Sequence, residues 1–248
     1  MIQEPFSLKD KTIIVTGASS GIGRAIAVAC SQQGGKVIII GRNKDKLNQT
    51  NDLLIGDGHS ILVVDLTQEE SVVSIVNDLP SVDGVVHCAG IGQKVFCRDV
   101  TKNDFSSVIN SNLFAPVILQ KYLMEAKKIK KEASIVFMAS YASEAPSVGN
   151  ALYSASKGGL ISYAKCLSLE LAPRKIRVNC ISPAMVWTDL IRGKDLEDED
   201  LRQEEMKYPL KRYAQPDDIA YLAVYLLADV SSWMTGSVIN ITGGTRVL

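Results

Sequence analysis

The stretch Thr12-Ile13-Ile14-Val15-Thr16-Gly17-Ala18-Ser19-Ser20-Gly21-Ile22-Gly23-Arg24-Ala25-Ile26-Ala27-Val28-Ala29 decides how the rest of the chain is read. Residues 13–16 are a β-branched run with strand character. A Gly/Ser-rich turn follows, and an alanine-rich helix opens near Gly21 or Ile22. Strand, glycine turn and helix N-terminus in that order make an anion site. The first N–H groups of a helix have no internal partner, and the helix dipole favours negative charge there. Gly17, Gly21 and Gly23 permit positive φ and close approach of a pyrophosphate. The spacing is G-x-x-x-G-x-G, whereas the common dinucleotide fingerprint is G-x-G-x-x-G. A turn that only packs a helix onto a strand is the alternative reading of these residues alone.

The chain of 248 residues is long enough for one large α/β domain with a sizeable core. Acidic and basic residues balance at 27 each, so no global field favours nucleic acid or an anionic membrane. The five cysteines form no C-x-x-C pair; Cys30, Cys88, Cys166 and Cys180 sit in apolar surroundings and read as small buried residues of a reducing compartment. His59 and His87 have no ligand-like spacing, so no metal site is expected. Residues 1–10 lack an apolar signal region, and the longest apolar run, residues 221–228, is sized for a helix core. The expected setting is cytoplasmic.

Further along, strand and helix alternate. Residues 37–40 read as a second buried strand, 43–54 as a helix, 61–64 as a third strand, 68–78 as a helix and 82–88 as a fourth strand. That rhythm predicts βαβ units and a parallel sheet. In a dinucleotide fold an acidic residue at the end of the second strand binds the adenosine ribose hydroxyls. Here Gly41-Arg42-Asn43 stands there. Glycine does not repel a 2′-phosphate and arginine pairs with it, which predicts NADP(H) over NAD(H). The alternative is an ordinary surface arginine at a turn. Asp65 is placed either to meet an adenine amino group or to cap the next turn.

Residues 104–124 are helical, but Asn110, Asn112 and Pro116 should weaken or kink that helix and free a carbonyl for water. The basic run at residues 127–131 reads most simply as a solvated helix end, with an acidic-partner patch as the sharper reading. A fifth strand, 134–139, ends at Ser140, and thirteen residues later Tyr153-Ser-Ala-Ser-Lys157 opens a helix reaching about residue 172. Tyr153 and Lys157 share a helix face. An ammonium beside a phenol favours phenolate and should lower the tyrosine pKa, so that it can exchange a proton with an alkoxide near neutral pH. Ser140 can donate to the same oxygen. By itself a Tyr-x-x-x-Lys pair is common on helix surfaces.

In combination, Thr16-Gly17, Gly21, Gly23, Asn112, Ser140, Tyr153 and Lys157 resemble the short-chain dehydrogenase/reductase family. The likeness continues through Arg177-Val-Asn-Cys-Ile-Ser-Pro183, Thr188, Pro209-Leu210, Gln215-Pro-Asp-Asp-Ile219 and Thr235-Gly-Ser-Val-Ile-Asn-Ile-Thr-Gly-Gly244, and so covers nearly the whole chain. It implies a doubly wound, three-layer α/β sandwich of Rossmann type, with a parallel sheet of about seven strands in one domain over residues 1–248. It also implies roles. Tyr153 would be the acid/base and Ser140 would orient the carbonyl. Lys157 would bind the nicotinamide ribose and depress the Tyr153 pKa, and Asn112 would hold a relay water. Gly17, Ser19, Ser20, Gly21, Ile22 and Gly23 would cradle the cofactor. Asp65 and Leu66 would meet adenine, Ala89 and Gly90 would pass beneath the adenosine ribose, and Pro183, Val186 and Thr188 would lie at the nicotinamide.

Two places depart from the family's pattern. The usual Asn-Asn-Ala-Gly after the fourth strand is His87-Cys88-Ala89-Gly90, so a side-chain tie between sheet and cofactor is weakened at Cys88. The usual Pro-Gly after the sixth strand is Pro183-Ala184, so positive φ should not be needed there. Ser20 stands where some NADP-binding members carry a second basic residue, which leaves the preference for NADP(H) resting on Arg42.

Residues 189–208, with Asp195-Leu-Glu-Asp-Glu-Asp200, are expected to form a mobile helical lid over substrate, or else a solvated helix. Residues 219–227 read as an apolar helix and 238–241 as the last strand. The expected activity is NADPH-dependent reduction of a carbonyl to a secondary alcohol. The chain looks most like the 3-oxoacyl-(acyl-carrier-protein) reductase branch of fatty acid biosynthesis. The run 127–131 with Arg174 and Lys175 would suit an acidic acyl carrier protein, and the acidic lid would repel one. A sugar, polyol or steroid dehydrogenase is the rival on the same scaffold, and a catalytically silent nucleotide-binding regulator is the rival of another class. A homotetramer or homodimer packed through the helices near 104–124 and 151–172 is implied by the resemblance.

Overall fold

The computed structural model describes residues 4–191 and 198–244. In chain order it contains β1 (Thr12–Thr16), α1 (Gly21–Gln32), β2 (Lys36–Gly41), α2 (Lys44–Asn51), β3 (Ser60–Val63), α3 (Glu69–Asp78) and β4 (Val82–His87). Then come α4 (Lys102–Ile109), α5 (Ala115–Glu125), β5 (Ile129–Met138), α6 (Ala151–Leu171), β6 (Arg177–Pro183), α7 (Asp198–Glu205), α8 (Pro216–Leu227) and β7 (Val238–Ile241). The seven strands form one sheet in the order β3-β2-β1-β4-β5-β6-β7, every neighbouring pair parallel.

The apolar runs of the strands are continuous because both faces are covered. Ile14, Val85 and Phe137 face a core with Val72 of α3, Leu119 of α5 and Leu160 of α6. Ile13, Val15 and Val136 face the opposite core with Ile26 of α1 and Val224 of α8. Burial of each such side chain contributes roughly 1.5–3 kcal/mol, so the sandwich rests on the strand interiors. The strand order reverses between β1 and β4, and the crevice outside their carboxyl ends is where a ligand binds in a doubly wound sheet.

Two expectations need correction. Cys166 is exposed on α6 rather than buried, and Cys88 is half-buried. The fifth strand starts at Ile129, not at residue 134: the basic run first closes α5, where the Lys127 and Lys128 N–H groups donate to the Met124 and Leu123 carbonyls, and then enters β5. Its charged residues hid it: residues 130–132 are exposed, Glu132 has φ 64°, and the register shifts where Val82 pairs Ile129 and Gly84 pairs Ser134. The lysines there have structural partners. Lys128 Nζ donates to the Asn77 carbonyl at 2.9 Å and the Leu79 carbonyl at 2.5 Å, closing the end of α3, and Lys130 Nζ lies 2.8 Å from Asp83 Oδ2. The run leads into β5, and Arg174 and Lys175 precede β6, so they occupy the amino edge of the sheet. Arg174 donates to the Ile129 carbonyl and Lys175 pairs with Glu132.

The interruption expected in the long helix is a π-helical turn at Asn110–Phe114 between α4 and α5. Pro116 has no N–H to give the Asn112 carbonyl, so the regular ladder breaks there. Ala184 does not take positive φ. Part of the segment expected as a lid, residues 192–197, lies outside the described residues, and with it the acidic positions 195 and 197.

Candidate functional site

The turn after β1 is a cradle built from missing side chains. At Gly17, with φ 66°, a Cβ would lie 2.8 Å from Ala89 Cα, and at Gly23 a Cβ would lie 2.3 Å from the Gly17 carbonyl oxygen. Either addition requires the turn, α1 and the end of β4 to move apart. Ser20 occupies the N-cap of α1 without a side-chain cap bond, and the first turn of α1, with Ile22, has no acidic residue. Its free N–H groups therefore suit an anion. Arg24, not singled out from sequence, holds the turn from beneath: its Nη2 donates to the Ser19 carbonyl at 2.6 Å and its Nε to Thr50 Oγ1 at 2.9 Å.

Thr16 makes the tie that Cys88 was expected to weaken. Its Oγ1 accepts the Cys88 N–H at 3.0 Å and the Ala89 N–H at 3.1 Å, fixing the ends of β1 and β4 together. The signal was a hydroxyl at the last position of β1. Burial pushes the Cys88 thiol up to about 12, so it stays uncharged.

Arg42 and Asp65 follow neighbouring strands, β2 and β3. Burial pushes the Asp65 carboxyl upward, but bonds from the Thr67 N–H and hydroxyl and the Arg42 guanidinium outweigh it and hold the group below the usual carboxylate range. Asp65 thus caps its own turn, one of its two expected uses. Leu66 is buried in the core beside α3, which leaves only its main chain facing outward.

Ser140, Tyr153, Lys157 and Asn112 come together after β5, on the first turns of α6 and on the π turn. Lys157 is 4% exposed; its Nζ donates to the Met138 carbonyl at 2.8 Å and lies 5.8 Å from the Tyr153 ring centre. Burial pulls the Lys157 pKa down to about 8, with the Cys88 and Cys180 thiols acting weakly the other way. Tyr153 departs from expectation: burial raises its pKa, a hydrogen bond with the Ser140 side chain opposes that, and Lys157 contributes no lowering. One N–H of the ammonium goes to the Met138 carbonyl, and for the phenol desolvation outweighs the opposing contribution. Asn112 is fully buried. Its Oδ1 accepts the Ile91 N–H at 2.8 Å, and its Nδ2 donates to the Ile91 carbonyl and to Ser156 Oγ at 3.0 and 3.1 Å. The side chain clamps the loop after Gly90, and a Cβ at Gly90 would sit 3.0 Å from Asn112 Oδ1 and 3.5 Å from Lys157 Nζ.

After Pro183 the chain crosses back toward the glycine turn. Val186 is buried and bridges to Ala214, and the methyl of Thr188 would lie 3.1 Å from a Cβ at Gly21. The glycine turn, Arg42, Asp65, Ala89, Gly90, Ser140 and Thr188 all follow the carboxyl ends of strands in one parallel sheet. A glycine cradle, a capless helix start and a basic strand end fit a pyridine dinucleotide. Among the described residues no group of three or more His, Cys, Asp or Glu is placed to hold a metal, and no helix is long and apolar enough to cross a membrane.

Residues 17–246 match the family model described as enoyl-(acyl carrier protein) reductase. The 3-oxoacyl-(acyl-carrier-protein) reductase of Rickettsia prowazekii is 35% identical over 237 residues, covering 96% of this chain and 97% of that protein. A solved structure named as a short chain dehydrogenase/reductase family protein superposes with TM-score 0.83 at 28% identity, covering 96% of this chain and 98% of that one. A structure from Beutenbergia cavernae, named as a candidate NAD(P)-dependent gluconate 5-dehydrogenase and carrying NADP at low occupancy, gives TM-score 0.87 at 30% identity, covering 97% and 98%. Near-complete matches in both sequence and fold leave one conclusion: this chain belongs to the short-chain dehydrogenase/reductase family and is a carbonyl oxidoreductase.

Proposed function

We propose that the chain is an NADPH-dependent reductase of 3-oxoacyl thioesters, with Tyr153 as proton donor. The observation that carries the reading is the buried Lys157, its Nζ 5.8 Å from the Tyr153 ring centre and bonded to the Met138 carbonyl two residues before Ser140. When bound, NADP(H) supplies the two-electron reducing chemistry. The residues that would hold it are Gly17, Ser19, Ser20, Gly21, Ile22 and Gly23 at the pyrophosphate, Arg42 at a 2′-phosphate, Asp65 and the Leu66 main chain at adenine, Ala89 and Gly90 at the ribose, and Pro183, Val186 and Thr188 at the nicotinamide.

The raised pKa of Tyr153 keeps its proton in place, which suits an acid waiting for a developing alkoxide. Ser140 Oγ donates to the carbonyl oxygen and polarises it. As the phenol gives up its proton, Lys157 is the nearby cation that steadies the phenolate, and it is buried enough for that charge to matter. A water at the carbonyl that Pro116 frees in the π turn returns the proton.

The acyl thioester is favoured by the 3-oxoacyl-(acyl-carrier-protein) reductase relative and by apolar side chains on the loops beside the crevice. Phe96, Val148 and Leu190 are exposed; Leu190 packs near Gly92, and the Val95 N–H donates to the Gly149 carbonyl at 2.8 Å. An acyl carrier protein is then the partner. A sugar or polyol substrate is the second reading, favoured by the gluconate 5-dehydrogenase likeness. A homodimer or homotetramer through α4, α5 and α6 belongs to the same proposal; Leu169 on α6 is 77% exposed. The test is NADPH oxidation with a short 3-oxoacyl thioester, with NADH and gluconate plus NADP⁺ in parallel. Turnover of the thioester with NADPH, and little with NADH, supports the reading. Turnover of gluconate alone replaces it with the second.

A further inference from the structure

One carboxylate oxygen joins the end of α7 to the chain after β6. Glu205 Oε2 accepts the Trp187 indole N–H at 2.8 Å and the Tyr213 backbone N–H at 3.2 Å. The two arms it joins are also paired by backbone: Trp187 N–H donates to the Ala214 carbonyl at 2.9 Å, and Ala214 N–H to the Met185 carbonyl at 3.0 Å. The Trp187 and Tyr213 rings lie 5.5 Å apart, and Tyr208 packs edge-on against Tyr213 at 5.2 Å. The neighbours of Trp187 are Val186 and Thr188, and Thr188 reaches the glycine turn at Gly21. A side chain on α7 thus grips the one residue standing between the two that border the crevice.

We propose that Glu205 is a positioning residue for the nicotinamide half of the cofactor: through Trp187 it holds the Val186–Thr188 strap in its binding geometry and ties α7 to that strap. The inference rests on the reading of Val186 and Thr188 as nicotinamide contacts. Two N–H groups converge on a single charged acceptor, and charge-assisted bonds of this kind are about twice as strong as neutral ones. The strap otherwise crosses from β6 to the glycine turn without belonging to any strand or helix. Loss of the carboxylate removes the acceptor that joins the indole to α7 while leaving the cradle at Gly17 and the tie at Thr16 intact.

The chain has only two tryptophans, and Trp233 is 98% exposed, so Trp233→Phe gives a protein whose emission reports Trp187 alone. In that background Glu205→Ala is expected to lower the emission anisotropy of the cofactor-free protein. It should also weaken NADPH binding about tenfold while leaving the affinity for 2′-phospho-ADP-ribose, which lacks the nicotinamide, within twofold. Glu205→Gln, which keeps an acceptor oxygen, should recover most of the NADPH affinity. Trp187→Phe should match Glu205→Ala in binding, and the double variant should be no worse than either, as for residues acting as a unit. Unchanged anisotropy, equal loss for both ligands, or multiplied losses in the double variant would overturn the proposal. If Glu205→Ala does not fold, the comparison of Glu205→Gln with Trp187→Phe decides by the same criteria. Thr188→Ala separates the two levels of the argument. No loss of NADPH affinity there defeats the strap reading, and loss there without loss in Glu205→Ala defeats the role of Glu205 alone.

Discussion

Lys157 Nζ donates to the carbonyl of Met138, the last residue of β5, at 2.8 Å, while the Tyr153 ring centre stands 5.8 Å away. One N–H of the ammonium thus anchors it to the sheet, and its burial costs stability when it is charged. The Lys157 pKa is about 8 in the folded chain against the ordinary 10.5. Such a depressed group contributes stability that is present above pH 10.5 and lost as pH falls through 8. Lys157→Met removes that penalty. In cofactor-free protein the variant should be the more stable below pH 8, by a ceiling of roughly 3 kcal/mol, with the gap closing as pH rises toward 10.5. Urea unfolding at several pH values measures it, and a gap independent of pH would refute the assignment.

Tyr153→Phe keeps the ring and removes the proton. Turnover should fall by about 100- to 10,000-fold, the range for loss of a general acid, while NADPH binding stays within a few-fold. Stopped-flow turnover and fluorescence titration of NADPH separate the two. A rate equal to wild type would remove Tyr153 from the chemistry.

Arg42→Ala tests the basic end of β2. The exposed guanidinium stands next to Asp65 and repels no phosphate. Loss of a charged contact predicts NADPH affinity weakened roughly 10- to 150-fold, with NADH affinity nearly unchanged. Equal losses for both nucleotides would show that Arg42 does not read the 2′-phosphate.

His87 stacks on Phe137 with ring centres 4.6 Å apart, and its Nε2 lies 3.0 Å from Gln120 Oε1. Burial pulls its pKa from 6.5 to about 4, the Gln120 bond opposing. Its contribution is present above pH 6.5 and lost as pH falls through 4. His87→Asn should flatten the acid side of the stability profile by a ceiling of roughly 3 kcal/mol, read as denaturation midpoints between pH 4 and 7. An acid limb identical to wild type would place the titration elsewhere.

The parallel sheet, the glycine cradle and the break at Pro116 were legible because each follows from local chemistry: apolar runs of strand length, missing Cβ atoms, a missing N–H. The residue set Ser140, Tyr153, Lys157 and Asn112 was legible as a pattern, and the fold brings it to one crevice. What the sequence did not disclose depends on direction and on neighbours far along the chain. It did not show that residues 128 and 130 spend their charge on α3 and Asp83 at the amino edge, because a lysine in a row of lysines carries no mark of its partner. It did not show that Lys157 is anchored to the Met138 carbonyl, or that burial raises the Tyr153 pKa; desolvation is a property of the folded surroundings. Nor did it join Glu205 to Trp187, eighteen residues apart, since only the return of the chain after β6 brings that carboxylate and that indole within 2.8 Å. Sequence determined which chemical groups this protein has and which backbone each segment prefers; tertiary structure decided which groups meet, and therefore which charges and hydrogen bonds remain for function.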